Sequence, residues 1–320
     1  MSTQAELLAQ MALTLTVLMV AGPMLVWVER RLLARFQLRL GPNRVGPFGI
    51  LQTVADAIKL LTKEDWVPPF ADPVPYIIAP MILGITVLGA FAVVPFTDSG
   101  AIADLNIGLL FFLAMSSIGV YSVMLAGIAS NSKYAMLGAI RATAQMISYE
   151  LAMGLSLASI VLIAGSFNLQ DIVVAQQGLP YIVVQPFAFI VFVIAGLAEL
   201  KRAPFDLPEA ENEIVAGFHT EYSSMKFALF FLGEYLGMIL IGAIATTVFL
   251  GGGNGPFLPA AVWFAIKVGF FIYLFIWVRA TLPRFRYDHL MAFGWKVLLP
   301  VGLLNLMVTG AFVVARGAGS

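Results

Sequence analysis

Acidic side chains are concentrated in one stretch of this chain, from Glu199 to Glu221. It carries six of the 18 acidic residues: Glu199, Asp206, Glu209, Glu211, Glu213 and Glu221. Carboxylates this close together cannot all be ionised, so such a segment can take up and release protons near neutral pH. A solvated acidic loop is the alternative interpretation, although apolar residues such as Phe205 and Phe218 are interleaved with the acids.

Prolines interrupt the same stretch. Pro204 and Pro208 should break the helix that enters it. Glu209, Glu211 and Glu213 are spaced two residues apart, so they cannot share one helical face and should surround a cavity or a short broken helix.

Further carboxyl groups fall inside apolar runs. Glu150 and Glu234 each lie next to a tyrosine, at depths where a carboxylate in hydrocarbon is costly. Intramembrane carboxyls usually line ion or proton routes, but a hydrogen bond between helices or Arg141 could instead neutralise Glu150. Lys267 could be the counter-charge of either acid, or it could extend towards the membrane surface.

The composition indicates which elements position these groups. Of 320 residues, 60% are hydrophobic and 11% are charged, and the mean hydropathy is +0.93. Recurrent apolar runs of about 20 residues are typical of an all-α polytopic membrane protein. With no cysteine and two histidines, a thiolate centre is excluded and a metal site is not expected, so any redox centre should belong to a partner. The N-terminus lacks a basic leader region, so the first run should be a retained span.

Eight transmembrane spans are predicted, at 7–28, 75–96, 105–128, 137–165, 184–200, 227–250, 258–280 and 296–315. Sixteen of the 18 basic residues then fall on odd-numbered connections. By the positive-inside rule these connections are cytoplasmic and both termini are periplasmic. The chain is thus expected to be one membrane domain (1–320) with cytoplasmic connections at 29–74, 199–226 and 279–296.

Within the first connection, residues 49–64 have the pattern of an amphipathic helix lying at the membrane surface. Leu51, Val54 and Ile58 share one face, while Asp56 and Lys59 share another. Such a helix could serve only as an anchor, or it could take part in function.

The 279–296 connection is basic, with Arg279, Arg284 and Arg286 close together. These arginines could be a positive-inside anchor, could pair with the acids of 199–226, or could do both. His289 has no accompanying set of metal ligands.

Two segments carry a resemblance to a known family. Residues Gly49-Ile-Leu-Gln-Thr-Val-Ala-Asp-Ala-Ile-Lys-Leu-Leu-Thr-Lys-Glu64 and Pro204-Phe-Asp-Leu-Pro-Glu-Ala-Glu-Asn-Glu-Ile-Val-Ala-Gly217 resemble the signature stretches of one membrane subunit of proton-pumping NADH:quinone oxidoreductase, respiratory complex I. Its mitochondrial form is NADH dehydrogenase subunit 1. Glu29-Arg-Arg, Gly41-Pro-Asn-Arg-Val-Gly and Pro283-Arg-Phe-Arg-Tyr-Asp are also similar to that family. Related subunits occur in membrane-bound hydrogenases, but the complete first signature favours the quinone enzyme.

The resemblance implies a subunit at the heel of the membrane arm, with no catalytic residue of its own. It places Glu29, Arg30, Arg39, Asp56 and Lys59 along a quinone channel framed by span one, the interfacial helix and span six. Proton coupling would fall to Glu150, Glu199, Asp206, Glu209, Glu211, Glu213, Glu221 and Glu234, with Arg279, Arg284 and Arg286 as the basic counterpart.

The same resemblance implies the partners and the location. Quinone would be the substrate, while iron-sulfur clusters and FMN would be held by other subunits. The partners would be the peripheral-arm quinone-site and terminal iron-sulfur subunits, small membrane-arm subunits and the lipid bilayer, with no nucleic acid. The location would be a bacterial inner membrane, or the mitochondrial inner membrane for an organellar protein. A cation/proton antiporter and a structural scaffold remain alternatives.

Overall fold

The computed structural model describes residues 2–96, 101–207 and 215–317, and every regular element in these ranges is helical. A shorter apolar helix, Pro186–Glu199, accompanies seven helices that are long and apolar enough to cross a membrane. The seven are Leu7–Phe36, Pro73–Val93, Gly108–Ala129, Lys133–Ala164, Ser224–Phe249, Ala260–Thr281 and Tyr287–Arg316. The prediction of an all-α polytopic membrane protein is therefore confirmed.

We number the helices in chain order. They are α1 (Ser2–Phe36), α2 (Gln52–Thr62), α3 (Pro73–Ala90), α4 (Gly108–Ala129), α5 (Lys133–Ala164), α6 (Leu169–Ala175), α7 (Tyr181–Val184), α8 (Pro186–Glu199), α9 (Ser224–Phe249), α10 (Ala260–Thr281), α11 (Tyr287–Phe293) and α12 (Leu299–Gly317). Single 3-10 turns occupy Pro47–Gly49, Phe91–Val93 and Gly217–His219, and a π-helical turn, Gly294–Leu298, joins α11 to α12.

The centre of the bundle is α9, the most enclosed of the seven long helices. It packs against α1, α3, α8 and α10, while α5 packs against α4, α8 and α12. At Gly138 of α5, an added Cβ would lie 2.6 Å from the Cα of Gly217, so only glycine lets the 217–219 turn approach this helix. The turn that follows the acidic segment is thereby held against the bundle.

The fifth predicted span, 184–200, corresponds to the short helix α8. Its 14 residues rise about 21 Å, less than the ~30 Å of a hydrocarbon core. The backbone leaves helical geometry at Gln185, which separates α7 from α8. The Gln185 side chain donates to Thr309 and accepts from Asn305, both at 2.9 Å. Irregular backbone at membrane depth is tolerated where protein groups surround it, as here.

The predicted amphipathic helix is present as α2, shorter than expected at Gln52–Thr62. It begins after a tight turn in which Gly49 has a φ of 75° and lies against the Pro42 carbonyl. None of the α2 residues is buried, and the apolar side chains of Val54, Ile58 and Leu61 are more than half exposed. That apolar face is therefore available to lipid, as the pattern indicated.

The structure excludes the alternative that Lys267 is the counter-charge of Glu150 or Glu234. Its ammonium group donates to the carbonyl oxygens of Leu250, Gly252 and Asn254 at 2.8, 2.7 and 2.8 Å. These carbonyls belong to the residue that caps the C-terminal end of α9 and to the loop after it, and the ammonium group satisfies them. Lys267 is therefore not the counter-charge of Glu150 or Glu234, and it extends away from them.

Candidate functional site

A cavity of about 350 Å³ opens beside the C-terminal part of α1, and we call it the charged cavity. This volume lies within the range of small-molecule pockets. Its charged lining consists of Glu29, Arg30, Lys201, Arg202, Glu234 and Arg279. Its aromatic lining includes Phe227, Phe230 and Phe231 of α9. Residues from both ends of the chain and from its middle thus meet at one site.

Four of these residues form what we call the ion-pair cluster: Glu29, Arg202, Glu234 and Arg279. Both arginines donate to the carboxylate of Glu29, and Arg202 Nε lies 2.7 Å from Glu234 Oε1. Glu29 is 1% exposed and Arg202 is 3% exposed. Two acids and two bases balance each other here, which is the condition under which buried charges are tolerated.

Tyr235 completes the surroundings of Arg202. The guanidinium carbon lies 4.3 Å from the centroid of the tyrosine ring. A planar guanidinium can bind carboxylates through its edge while its face covers an aromatic ring. The orientation of Arg202 is therefore fixed from several directions.

A second, more exposed group connects α1 to α2. Arg30 donates to Asp56 at 2.7 Å, and Lys59 lies 3.8 Å from the same carboxylate. Partial burial opposes ionisation of Asp56, but the hydrogen bond and charge of Arg30 hold its pKa below the ordinary value. Arg39 lies outside this group and donates to Gln37 at 2.7 Å. The α2 residues do not line the charged cavity among the described parts of the chain, and Asp56 is linked to it through Arg30.

Opposite charges also meet between the 199–226 and 279–296 connections. Arg284 donates to Asp206 at 2.9 Å, so the pairing alternative for these arginines is observed at this position. Burial raises the pKa of Asp206 even though Arg284 acts against the shift. Arg286 instead pairs with Asp288 at 2.9 Å in an exposed contact.

A smaller cavity of about 70 Å³ continues inward from Glu234, and we call it the inner cavity. By volume it can hold a few water molecules, since each needs roughly 10–15 Å³ of this measure. Glu199 lines it, accepting a hydrogen bond from Ser116 at 2.9 Å. The other carboxylate oxygen of Glu199 is buried without a hydrogen-bond partner in the described structure. An unpaired buried oxygen facing such a cavity is what a bound water would satisfy.

The next serine along α4 extends this arrangement. Ser117 donates to Glu150, and both residues line a groove of about 480 Å³ between α4, α5 and α12, which we call the lateral groove. Glu150 is thus held by a hydrogen bond between helices, whereas Arg141 lies over the ring of Tyr287 at 5.8 Å. Glu234, Glu199 and Glu150 therefore follow one another from the charged cavity to the lateral groove.

The predicted site residues fall into three groups. Glu29, Arg30, Asp56, Lys59, Glu150, Glu199, Asp206, Glu234, Arg279 and Arg284 belong to the cavities or to ion pairs next to them. Arg39, Arg286 and Glu221 lie apart, and the Glu221 backbone carbonyl accepts a hydrogen bond from Tyr76 at 2.6 Å. Glu209, Glu211 and Glu213 lie outside the described residues.

The sequence reasoning missed several residues of the site. None of Ser116, Ser117 and Arg202 was among the predicted site residues: the two serines lie inside an apolar run, and Arg202 lies in the 199–226 connection. An adjacent serine pair inside an apolar run was the available signal, because buried hydroxyls need partners. Within the described ranges, no three His, Asp or Glu side chains come together as metal ligands would.

His219 in the wall of the charged cavity predicts a pH dependence of stability. Burial, with a smaller contribution from Lys201, lowers its pKa from 6.5 to about 4. The unfolded chain therefore binds the proton more readily, and stability should fall as the pH drops from about 6.5 towards 4. At pH 4 the loss should approach about 3 kcal/mol. Melting curves of the purified assembly should show this slope weakened in His219→Gln, and an unchanged slope would contradict the assignment.

Comparisons with known proteins agree on one family. The sequence model of the NADH dehydrogenase family matches residues 8–310. The chain is 57% identical over 318 residues to H-subunit 1 of the NADH-quinone oxidoreductase of Geobacter metallireducens, covering 97% of both chains. It is 54% identical over 320 residues to H-subunit 2 of the same enzyme in Syntrophobacter fumaroxidans, again with 97% of both chains covered. The corresponding H-subunit 2 of Geobacter sulfurreducens is 57% identical over 311 residues, with 94% covered on each side.

Proposed function

This chain belongs to the NADH dehydrogenase family, and we propose that it is the membrane subunit through which an NADH-quinone oxidoreductase couples quinone reduction to proton translocation. The observation that carries the proposal is the series of carboxyl groups leading from the charged cavity, through the inner cavity, to the lateral groove. The redox centres belong to partner subunits, which agrees with a chain that has no cysteine.

The charged cavity is the proposed quinone-facing end. Phe227, Phe230 and Phe231 offer an apolar wall to a quinone ring, while Arg30 offers a donor for a carbonyl or a reduced oxygen. Glu29 and Asp56 fix the cationic side of the cavity through their ion pairs. Lys59 and Arg39 belong to the same proposal as residues of the channel approach, on α2 and after α1.

The coupling step is electrostatic. A reduced quinone oxygen adds negative charge, or removes a proton, beside the ion-pair cluster. Because Glu234 contacts Arg202 and lines both cavities, a change of charge in the charged cavity should change the strength of its ion pair with Arg202. The response then reaches Glu199 through the inner cavity and Glu150 through the adjacent serines.

The remaining acids and bases of the two connections complete the proposal. Asp206, Glu209, Glu211, Glu213 and Glu221 would form the acidic inlet, with Arg279, Arg284 and Arg286 as their basic counterpart. The partial burial of the Asp206–Arg284 pair supports this assignment for one member of each group.

The proposed surroundings follow from the same function. The partners are the peripheral-arm quinone-site and terminal iron-sulfur subunits, the subunit that carries FMN, and small membrane-arm subunits. The chain lies in a bacterial inner membrane, or in its mitochondrial counterpart, with both termini on the periplasmic side.

A photoreactive quinone analogue tests the quinone-facing end in the assembled complex. Crosslinks should map to residues 29–33 and 227–235, and excess quinone should suppress them.

Arg30→Gln should raise the KM for quinone by about tenfold, the value of one charge-assisted hydrogen bond. The matched control is Arg35→Gln on the exposed side of α1, which should leave the KM unchanged.

Other outcomes point to other functions. Crosslinks confined to other regions would show that quinone does not bind in the charged cavity. Purification as a single chain that moves ions would support the antiporter. A purified assembly that evolves hydrogen and does not oxidise NADH would place the chain in a membrane-bound hydrogenase.

A further inference from the structure

Helices α1 and α9 touch at one level and enclose the charged cavity at the next. At Gly22 of α1, an added Cβ would lie 2.6 Å from Leu232 Cδ1 of α9, so the two helices are in close contact there. Further along α1, Arg30 and Leu33 line the charged cavity, and Phe227 lines it from the N-terminal end of α9. The width of this cavity therefore depends on how far the two helices separate beyond their contact.

The amphipathic helix α2 is bonded to both of these helices. Its Asp56 accepts a hydrogen bond from Arg30 of α1 at 2.7 Å. Its Leu60 carbonyl, in the last turn where helical partners run out, accepts from the Ser224 hydroxyl at 2.9 Å. Ser224 is the first residue of α9, is 2% exposed and has a φ of 54°, which is uncommon for a residue other than glycine. Helix α2 thus connects α1 to α9 on the side of their contact where the cavity lies.

An ion pair makes the second bond between the α2 end and α9. Lys226 Nζ lies 2.7 Å from the Oδ1 atom of Asp65, just beyond the end of α2, and the two side chains are 11% and 49% exposed. The same ammonium group lies 5.6 Å from the centroid of the Tyr76 ring of α3. Tyr76 is fully buried and stacks on Tyr222, with 4.1 Å between the ring centroids. Lys226 is therefore fixed to the bundle, and Asp65 attaches the end of α2 to it.

We propose that α2 braces the charged cavity, and that Lys226 and Asp65 are positioning residues that set the separation of α1 and α9 for a ligand held between them. Neither residue lines the cavity in the described structure, so both act through the position of α2. The inference rests on the proposed quinone-facing role of this cavity and adds to it the pair that keeps the two walls in place.

A loosened brace should weaken quinone binding without slowing the reaction of bound quinone. A ring that touches both helices binds only when they are at the right separation. Without the ion pair, that arrangement is only part of the population, and the apparent affinity falls by the same fraction. Once quinone is bound, both walls are in place, so the rate at saturating quinone should not change.

Steady-state kinetics of the assembled complex with a short-chain quinone test the proposal. Lys226→Met removes the ion pair and keeps much of the apolar length of the side chain. The KM for quinone should rise about fivefold, the upper end of what a partly exposed ion pair contributes, while kcat stays at the parental value. Asp65→Asn should have the same effect. The matched control is Lys63→Met, which removes an exposed base at the end of α2 and should leave the KM unchanged.

A double variant separates the attraction between the two residues from the residues themselves. Lys226→Asp combined with Asp65→Lys exchanges the charges and restores an ion pair, so it should recover most of the lost affinity. An unchanged KM in both single variants would overturn the proposal, and so would an exchanged pair that binds quinone no better than they do. A loss of complex and of kcat with the KM unchanged would also overturn it, because the pair would then serve folding alone.

Failure of the proposed function is visible separately. The photoreactive quinone would then fail to label residues 29–33 and 227–235 in the parent complex, whatever the kinetics of the Lys226 variants.

Discussion

Replacement of Arg202 by methionine is expected to destabilise the protein by about 3–5 kcal/mol, the usual cost of removing one partner from a buried ion pair. Methionine fills a similar volume but leaves Glu29 with one arginine and Glu234 without its cation. Both carboxylates are largely buried, with side-chain exposures of 2% and 15%. The yield and melting temperature of the assembled complex measure the effect. Quinone reductase activity should be lost together with the structure of the charged cavity.

A double variant separates charge balance from packing. Arg202→Met combined with Glu234→Gln restores neutrality in the ion-pair cluster, so it should recover a large part of the stability while quinone reduction stays low. The matched control is Arg286→Met, which removes an exposed pair whose side chains are 75% and 66% accessible. Exposed pairs contribute about 0–1 kcal/mol. If Arg202→Met lowered the stability as little as Arg286→Met does, the charges of the ion-pair cluster would not depend on one another.

Replacement of Glu199 by glutamine is expected to reduce NADH-driven proton pumping by about a hundredfold, the lower end of what a positioned proton-transfer group contributes. The amide keeps the shape of the side chain and can still accept from Ser116, so assembly should be preserved. It cannot take up a proton in the neutral pH range, so the inner cavity would no longer relay one to Glu150. Pumping is measured by dye quenching in vesicles, and turnover by NADH oxidation.

The matched control for this variant is Glu64→Gln. Glu64 is exposed just after α2 and lines none of the three cavities in the described structure. The complex that carries Glu64→Gln should pump protons at the parental rate. Normal pumping in Glu199→Gln, with a normal amount of assembled complex, would exclude the proposed path. Loss of pumping with quinone reduction retained would indicate that Glu199 lies on the proton path but not on the route that controls turnover.

Local sequence features accounted for much of the architecture. The apolar runs predicted the spans because transfer into hydrocarbon depends on each segment's own composition. The predicted span 184–200 corresponds to α8, which is shorter than the seven long helices, and the break at Gln185 was not foreseen. Asn305 and Thr309, which hydrogen-bond the Gln185 side chain at this break, come from a helix more than a hundred residues away along the chain.

The candidate site was only partly predictable. Hydropathy marked Glu150 and Glu234 as unusual, because a carboxyl group in an apolar run is costly wherever its helix packs. It could not assign their partners. α9 is apolar on all sides, so its sequence does not show which face turns inwards. Lys267 was equally ambiguous, and its carbonyl ligands became evident only from the loop after α9.

By itself, the sequence determined that this is a helical membrane protein of one family, with most of its charge gathered in a few connections and a small number of buried acids. Tertiary structure alone decided that Glu29, Arg202 and Arg279 meet, although Arg202 and Arg279 follow Glu29 by 173 and 250 positions. The reason is physical: partition into a membrane is a property of a segment, whereas ion pairing depends on how packed helices are rotated. The acidic stretch that begins at Glu199 thus acquires its proposed role from the helices around it, and from the cavities that they enclose.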